Sequence, residues 1–203
     1  MSTQADDRAL LRSLGIQKPI IQAPMAGTTT PALAAAVSKT GALGSLGVAA
    51  MSAENARKAI HQTRELTAKP FNVNVFCHRP ATPDAVVERA WLDWLEPVFR
   101  QYGATPPHSL TEIYTSFVED KAMQSMLLQE KPAIVSFHFG LPSDAVIAEL
   151  KHAGIRLLAS ATNLDEAAAA VEAGVDAIVA QGVEAGGHRG VFDQKARDDG
   201  LGT

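Results

Sequence analysis

Short apolar runs alternate with Ala-rich stretches of helical period along most of this chain. The runs are rich in β-branched and aliphatic residues, whereas the stretches place apolar residues three or four positions apart. This alternation is typical of β-α-β units on a parallel sheet. The predicted strands are Pro19–Ala23, Ala42–Leu46, Pro70–Phe76, Pro132–Phe139, Ile155–Ser160 and Asp176–Ala180. The predicted helices are Pro31–Thr40, Ser52–Leu66, Pro83–Gln101, a helical stretch over Leu110–Gln129, Ser143–Ala153 and Leu164–Ala173.

The spacing of these units fits two α/β architectures, a doubly wound sheet and a barrel, and periodicity alone does not separate them. A (β/α)8 barrel needs eight units and typically about 250 residues. A barrel reading therefore predicts that about six of the eight β/α units are present. We expect one incomplete domain over residues 1–203, with a helical insert around residues 103–130 and a loop after Gly190.

Charge and composition exclude several classes of function. With 18 basic and 22 acidic residues the net charge is -4, and no basic stripe is present that could neutralise a run of phosphates, so nucleic acid is not an expected partner. The first residues mix charges with leucines, unlike a secretory signal, and no stretch reaches the roughly 18 apolar residues of a membrane helix. We expect a cytoplasmic protein without a membrane partner. The single cysteine, Cys77, excludes an internal disulfide and a multi-cysteine metal site.

Ligands of such folds bind beyond the carboxyl ends of the strands, where two segments of the first half of the chain are unusual. Pro24-Met25-Ala26-Gly27 follows the first strand, and Gly27 would let the backbone approach a flat ligand, although an ordinary turn explains it equally well. Asn72 and Asn74 share one face of the third strand, with the valines on the other face. Their amides need partners, either a cofactor inside the barrel or neighbouring strands.

Two further segments follow later strands. Ser136 and His138 share a face at the end of the fourth strand, where a histidine can act as a base or a hydrogen-bond donor near neutral pH, or have a purely structural role. Phe137 and Phe139, on the opposite face, are predicted core residues. Gln181–Gly190 contains successive glycines whose N–H groups could cradle a phosphate, or it is simply a flexible loop. It has no Walker lysine and no GxGxxG pattern.

In this order, the segments Gln22–Gly27, Ser136–Gly140 and Glu184–Gly190 resemble the nitronate monooxygenases, formerly called 2-nitropropane dioxygenases. The resemblance covers about Pro19 to Thr203. It implies a TIM barrel that holds non-covalent FMN and oxidises alkyl nitronates, such as propionate 3-nitronate, with molecular oxygen to carbonyl compounds and nitrite.

The resemblance also implies roles for individual residues. His138 matches a catalytic histidine over the flavin, which acts as a base or positions the anion, and Ser136 and His188 are expected on the substrate side. No metal is implied, and the histidines of this chain are scattered. The residues expected to bind FMN are Ala23, Pro24, Met25, Gly27, Asn74, Gln181, Gly186 and Gly187.

Two alternatives remain at this point. A flavin-dependent enoyl-acyl-carrier-protein reductase shares the barrel and a Glu-Ala-Gly-Gly-His loop like Glu184–His188. A barrel lacking strands seven and eight would leave the first and sixth strands as open edges, which favours a homo-oligomer or an inactive fragment.

Overall fold

The computed structural model describes residues 4–203, in which helices and parallel strands alternate. The helices are α1 (Gln4–Leu14), α2 (Pro31–Lys39), α3 (Ala53–Leu66), α4 (Ala85–Gln101), α5 (Lys121–Glu130), α6 (Asp144–His152) and α7 (Leu164–Glu172). The strands are β1 (Gly44–Gly47), β2 (Phe71–Phe76), β3 (Ile134–His138), β4 (Arg156–Ala161) and β5 (Ala177–Ala180).

The strands form one parallel sheet in the sequential order β1-β2-β3-β4-β5. A doubly wound sheet reverses direction at a switch point, whereas in a barrel each new strand adds to the same side of the previous one. The sequential order therefore confirms the α/β prediction and identifies the sheet as part of a barrel of the TIM type. Because all strands are parallel, their carboxyl ends lie along one edge of the sheet.

Side chains that cap the helices explain several of the predicted boundaries. The Thr30 hydroxyl accepts a hydrogen bond from the Leu33 amide at 3.2 Å, one residue before Pro31 opens α2. Ser52 caps α3 in the same way through the Asn55 amide at 3.3 Å. Gly154 and Gly174 follow α6 and α7 with φ of 84° and 78°, as expected of glycines after helices.

The main core lies between the outer face of the sheet and the helices. Val73, Val75, Phe137 and Leu157 are fully buried there and pack in one cluster with apolar side chains of α3, α5, α6 and α7. Burying a side chain of this size stabilises the fold by about 1.5–3 kcal/mol each. The helices therefore cover the face of β2 that carries the valines, and the asparagines face the other side.

Three predictions differ from the structure. The predicted first strand, Pro19–Ala23, is reduced to a single parallel bridge between Ile21 and Leu43. The helical stretch over Leu110–Gln129 is helical only from Lys121, because the Asp120 carboxylate caps that helix at the Met123 amide, 2.9 Å away. Helix α1 is not among the predicted elements.

The chain divides into two compact units. One comprises the chain up to Arg79 together with Tyr114–Thr203, and it contains the whole sheet. The other, Pro80–Ile113, contains α4, on which the Trp91 and Trp94 rings stack with centroids 4.9 Å apart. The organisation of residues 1–203 as a single domain stays a prediction. In the part of the chain that the structure describes, no helix is long and apolar enough to span a membrane.

A cluster of charges joins α3 to α5 on the side away from the carboxyl ends of the strands. The nearly buried Glu130 carboxylate binds Arg57, His61 at 2.9 Å and Arg64 at 2.7 Å. Burial acts to raise the pKa of Glu130, but hydrogen bonds from His61, Arg57 and Arg64 outweigh it, so the pKa lies below its ordinary value. This carboxylate therefore stabilises the fold in its ionised form.

We expect Glu130→Gln to lower the free energy of unfolding by about 1–3 kcal/mol at pH 7, because two guanidinium groups and the His61 ring lose a charged acceptor. The contribution is complete above the ordinary glutamate pKa of about 4.3 and disappears as the pH falls through the lower pKa of the folded chain. Urea unfolding at pH 7 and pH 3 measures both effects. Glu54→Gln, which removes an exposed carboxylate paired with Lys58, is the control. An equal loss at both pH values would contradict this role for the charge.

Candidate functional site

Buried polar side chains line the inner face of the sheet. Asn72 donates through Nδ2 to the Ser45 hydroxyl at 3.3 Å and to the Ser136 hydroxyl at 2.9 Å. Asn74 donates to the same Ser136 hydroxyl at 2.9 Å and to the Ser136 carbonyl at 3.2 Å. Neighbouring strands therefore do partner the asparagines, as one of the two sequence interpretations predicted.

These partners do not satisfy both asparagine amides. Asn72 Oδ1 is buried and has no hydrogen-bond partner among the described residues. If the Asn72 amide were turned round, its NH2 group would be unpaired instead, because its neighbours lie on one side only. Asn74, two residues nearer the carboxyl edge, is also bonded only through Nδ2 within residues 4–203. Since an unpaired buried amide costs about 1–3 kcal/mol, this face can take a further polar partner.

The Ala23–Gly27 segment is folded against the end of β1. Gln22 donates to the Thr29 hydroxyl at 3.1 Å and to the Ser45 carbonyl at 3.3 Å, and the Thr29 hydroxyl accepts from the Met25 amide at 3.2 Å. A Cβ added to Gly47 would lie 2.9 Å from the Ala26 nitrogen, so only glycine allows this approach. Because Gly47 pairs with Asn74, the turn lies beside the asparagine end of the site.

The part of that turn expected to bind FMN is open to solvent. Ala23, Met25 and Gly27 are exposed and Pro24 is half-buried. Gly27 has φ of 75°, and nothing lies within 4 Å of the position a Cβ would take. The turn therefore presents backbone that a ligand could reach.

His138 is held at the carboxyl end of β3. Its Nδ1 lies 3.0 Å from the Ser160 hydroxyl, and its Nε2 lies 3.3 Å from the His188 carbonyl oxygen. A carbonyl only accepts, so Nε2 carries the proton and the neutral ring accepts from Ser160 at Nδ1. Burial lowers the pKa of His138; the hydrogen bond to the His188 carbonyl opposes that shift, and the His188 charge adds to it. The imidazole is therefore neutral at pH 7.

The loop after β5 covers His138. Gln181 donates to the His188 carbonyl at 3.0 Å and accepts from the Gly190 amide at 2.7 Å. A Cβ at Gly190 would lie 2.5 Å from His138 Cε1, so the glycine backbone lies directly against the imidazole. The structure thus brings together His138, Gln181 and His188, three residues singled out from the sequence.

The two glycines expected near a phosphate take no part in these contacts. Gly186 and Gly187 are exposed, with no atom within 4 Å of a Cβ at either position. Their amides have no acceptor among residues 4–203. They remain free to bind an anion.

Phe139 is not the core residue that the alternation in the strand predicted. Phe137 is fully buried, as expected, but Phe139 lies beyond the end of β3 with φ of 67°, a conformation that a bulky residue adopts rarely and often at functional sites. Its ring packs against His138, Phe76 and His188, with centroids 4.3, 4.9 and 5.7 Å away. Phe139 therefore forms part of an aromatic wall beside the histidines.

Sequence reasoning missed three residues. Ser160 orients His138, and Glu166 and Arg189 bind the loop after β5 that covers it. Alternation within β4 gives a weak signal for Ser160, but no sequence pattern indicates the two charged residues.

Cys77 is buried, and burial raises the pKa of its thiol, so it is a packing residue. No cluster of His, Cys, Asp or Glu in the described part of the chain could hold a metal ion.

Comparisons with a family model and with individual proteins indicate the same family. The nitronate monooxygenase family model matches residues 8–203. Nitronate monooxygenase from Paraburkholderia phytofirmans is 71% identical over 203 residues, which cover 100% of this chain and 56% of that protein. Nitronate monooxygenase from Pseudomonas aeruginosa is 56% identical over 192 residues, 95% of this chain and 55% of that protein. The chain thus spans a little over half the length of these relatives.

Solved structures resemble the fold. Nitroalkane oxidase from Streptomyces ansochromogenes superposes with a TM-score of 0.85 at 38% identity, over 96% of this chain and 55% of that one. FabK from Thermotoga maritima gives a TM-score of 0.64 at 30% identity, over 89% of this chain and 45% of that one. Since the family model spans nearly the whole chain, the chain belongs to the nitronate monooxygenase family.

Proposed function

We propose that the carboxyl edge of this sheet is the flavin and substrate site of an FMN-dependent nitronate monooxygenase. The reaction oxidises an alkyl nitronate, such as propionate 3-nitronate, with molecular oxygen to a carbonyl compound and nitrite. The observation that carries the proposal is the arrangement at that edge. A neutral, oriented His138 lies between the Asn74–Ser136 pair on one side and Gln181 and His188 on the other.

The residues present fit FMN. A flavin ring offers carbonyls and ring nitrogens, and the inner face holds one orphaned asparagine oxygen and a second asparagine bonded at one end only. Asn74 and Gln181 would hold the ring edge, while the Ala23–Gly27 turn would lie against its face. Gly186 and Gly187 would donate backbone hydrogen bonds to the phosphate. The bound flavin supplies the electron acceptor for nitronate oxidation.

His138 would bind the nitronate through Nε2. That atom carries the proton of the neutral ring and donates a hydrogen bond to the His188 carbonyl. A nitronate oxygen, being anionic, is a stronger acceptor than a carbonyl and would replace it. Ser160 keeps the ring in the required tautomer, and Ser136 lies two residues earlier on the same face. Binding at His138 therefore requires the His188 backbone to move aside.

His188 is the second candidate for this role. Its ring is exposed, and neither ring nitrogen has a hydrogen-bond partner among the described residues. It lies beside Phe76 and Phe139, so a ligand could reach it without displacing any backbone. We assign it to the substrate side and His138 to the catalytic position, and variants of both residues separate the two roles.

Turnover of propionate 3-nitronate by the purified chain with added FMN tests the proposal. We expect oxygen consumption accompanied by nitrite release. An enoyl thioester with reduced pyridine nucleotide is the comparison substrate, and rapid nucleotide oxidation would favour the reductase alternative. A chain that binds FMN but consumes neither substrate would refute the proposed activity, and one that binds no FMN would support an inactive fragment.

A further inference from the structure

A buried carboxylate that the proposed chemistry does not use lies next to the site. Glu166 is in the first turn of α7 and is 8% exposed. Its Oε2 accepts from both the amide and the hydroxyl of Thr162, each at 2.7 Å, which ties it to the turn after β4. Its Oε1 accepts from the Phe192 amide at 2.7 Å. One carboxylate therefore joins two segments that are about thirty residues apart in the chain.

Arg189 makes a second attachment between the same segments. Its guanidinium donates to the Gln181 carbonyl, to the Thr162 carbonyl at 3.3 Å and to both oxygens of Asp198, at 2.8 and 3.0 Å. Residues 188–192, which we call the covering segment, are thus attached to the β4–α7 turn at both Arg189 and Phe192. A loop that served only as a flexible connection would not need a buried charge to hold it.

The covering segment holds His138 through its backbone. Its first residue supplies the carbonyl that accepts from His138 Nε2, and Gly190 rests on the ring. Both contacts depend on where the backbone of the segment lies, and neither involves a side chain of the segment. Whatever fixes that backbone therefore fixes the orientation and the solvent exposure of the imidazole.

We propose that Glu166, together with Arg189, is a positioning residue that fixes the covering segment over His138. The catalytic meaning of this inference rests on the proposed function. The attachment of the covering segment by Glu166 and Arg189 does not depend on it. Neither residue touches the imidazole. They act through the backbone of residues 188–192, whose displacement uncovers His138 for a substrate.

Glu166→Gln breaks the attachment selectively. The carboxylate accepts at both oxygens from three donors, whereas an amide can accept at one end only. If the amide oxygen stays with Thr162, the NH2 group faces the Phe192 amide, donor against donor, and the covering segment loses its attachment. The α7 turn itself is preserved, so the change should act on the segment and not on the helix.

Asp165→Asn is the matched control. Asp165 lies in the same first turn of α7 and is exposed, so its replacement removes the same charge from the same helix end. None of the hydrogen bonds or ion pairs of the described residues joins Asp165 to the covering segment.

Amide hydrogen exchange and a histidine NMR titration of the flavin-free chain test the proposal. In Glu166→Gln we expect the Phe192 and Gly190 amides to exchange at least about tenfold faster, since Phe192 loses its acceptor and displacement of the segment moves the Gly190 amide away from the Gln181 side-chain oxygen. The pKa of His138 should rise towards its ordinary value, because burial is the largest cause that lowers it and outweighs the opposing hydrogen bond to the His188 carbonyl, which would be lost as well; the charge of His188 also lowers it. Asp165→Asn should change neither property.

Exchange rates and a His138 pKa in Glu166→Gln equal to those of Asp165→Asn would overturn the proposal. Faster exchange with an unchanged pKa and unchanged ring signals of His138 would also overturn it, because the segment would then not control the imidazole. If Glu166→Gln does not fold, Arg189→Gln must produce the same two changes, and their absence counts against the proposal. Neither measurement uses FMN or a nitronate. The result therefore tests the positioning role even if the proposed function fails.

Discussion

Replacing His138 with asparagine is expected to lower turnover of propionate 3-nitronate about 10²- to 10³-fold, the usual cost of removing a donor that stabilises a reacting anion. Asparagine lacks the ring that Ser160 orients and that Gly190 covers, so it would not present a donor at the position of Nε2. FMN content should be unchanged, since Asn74, Gln181 and the glycines remain. Nitrite release and the flavin absorbance of the same samples measure the two effects.

His188→Asn is the comparison for this variant. His188 contacts His138 through its backbone carbonyl, which the substitution retains. We expect the larger loss of turnover from His138→Asn and a smaller change, mainly in KM, from His188→Asn. The reverse order would transfer the catalytic role to His188, whose exposed ring can reach a ligand without movement of the backbone.

Gly44→Ala is expected to destabilise the fold by about 3 kcal/mol or more, at the upper end of the cost of overpacking a core. A Cβ at this position would lie 2.0 Å from the Ala34 carbonyl oxygen and 2.7 Å from its carbon, where α2 crosses the start of β1. Backbone atoms cannot rotate away as a flexible side chain can, so the helix must shift off the strand. In a chain of this length the melting temperature should fall by roughly 6–12 °C.

Gly186→Ala provides the matched control for this prediction, because nothing lies within 4 Å of its added Cβ. Its melting temperature should stay close to that of the unchanged chain. A Gly44→Ala variant as stable as Gly186→Ala would show that α2 does not pack on β1 as closely as the structure has it.

Local sequence patterns predicted those elements of the fold that depend on residues close together in the chain. Period-two alternation located β2 and the inward face of Asn72 and Asn74, while Pro31 in a first turn and Ser52 as an N-cap placed the starts of α2 and α3. The Pro19–Ala23 prediction failed because an extended segment becomes a strand only when a partner pairs along its length, and only the Ile21–Leu43 bridge forms. Phe139 was misplaced because a single left-handed residue ends the alternation.

The candidate site was predictable only in part, for a similar reason. The sequence indicates which residues end the strands, so His138, Asn74 and Gln181 could be singled out in advance. Their partners could not, because Ser160 reaches His138 through the register of β3 and β4, and Glu166 reaches Phe192 through the path of a loop. Such contacts depend on the assembled fold and leave no periodic pattern in the sequence.

Titration of the isotope-labelled chain with FMN, followed by NMR, tests most directly whether the carboxyl edge of the sheet is a flavin site. We predict saturable shifts of the side-chain signals of Asn74, His138 and Gln181 and of the Gly186 and Gly187 amides. The Glu130 cluster, on the side away from that edge, should not respond. Shifts absent from the strand ends, or concentrated around Glu130, would contradict the assignment of this edge as the site.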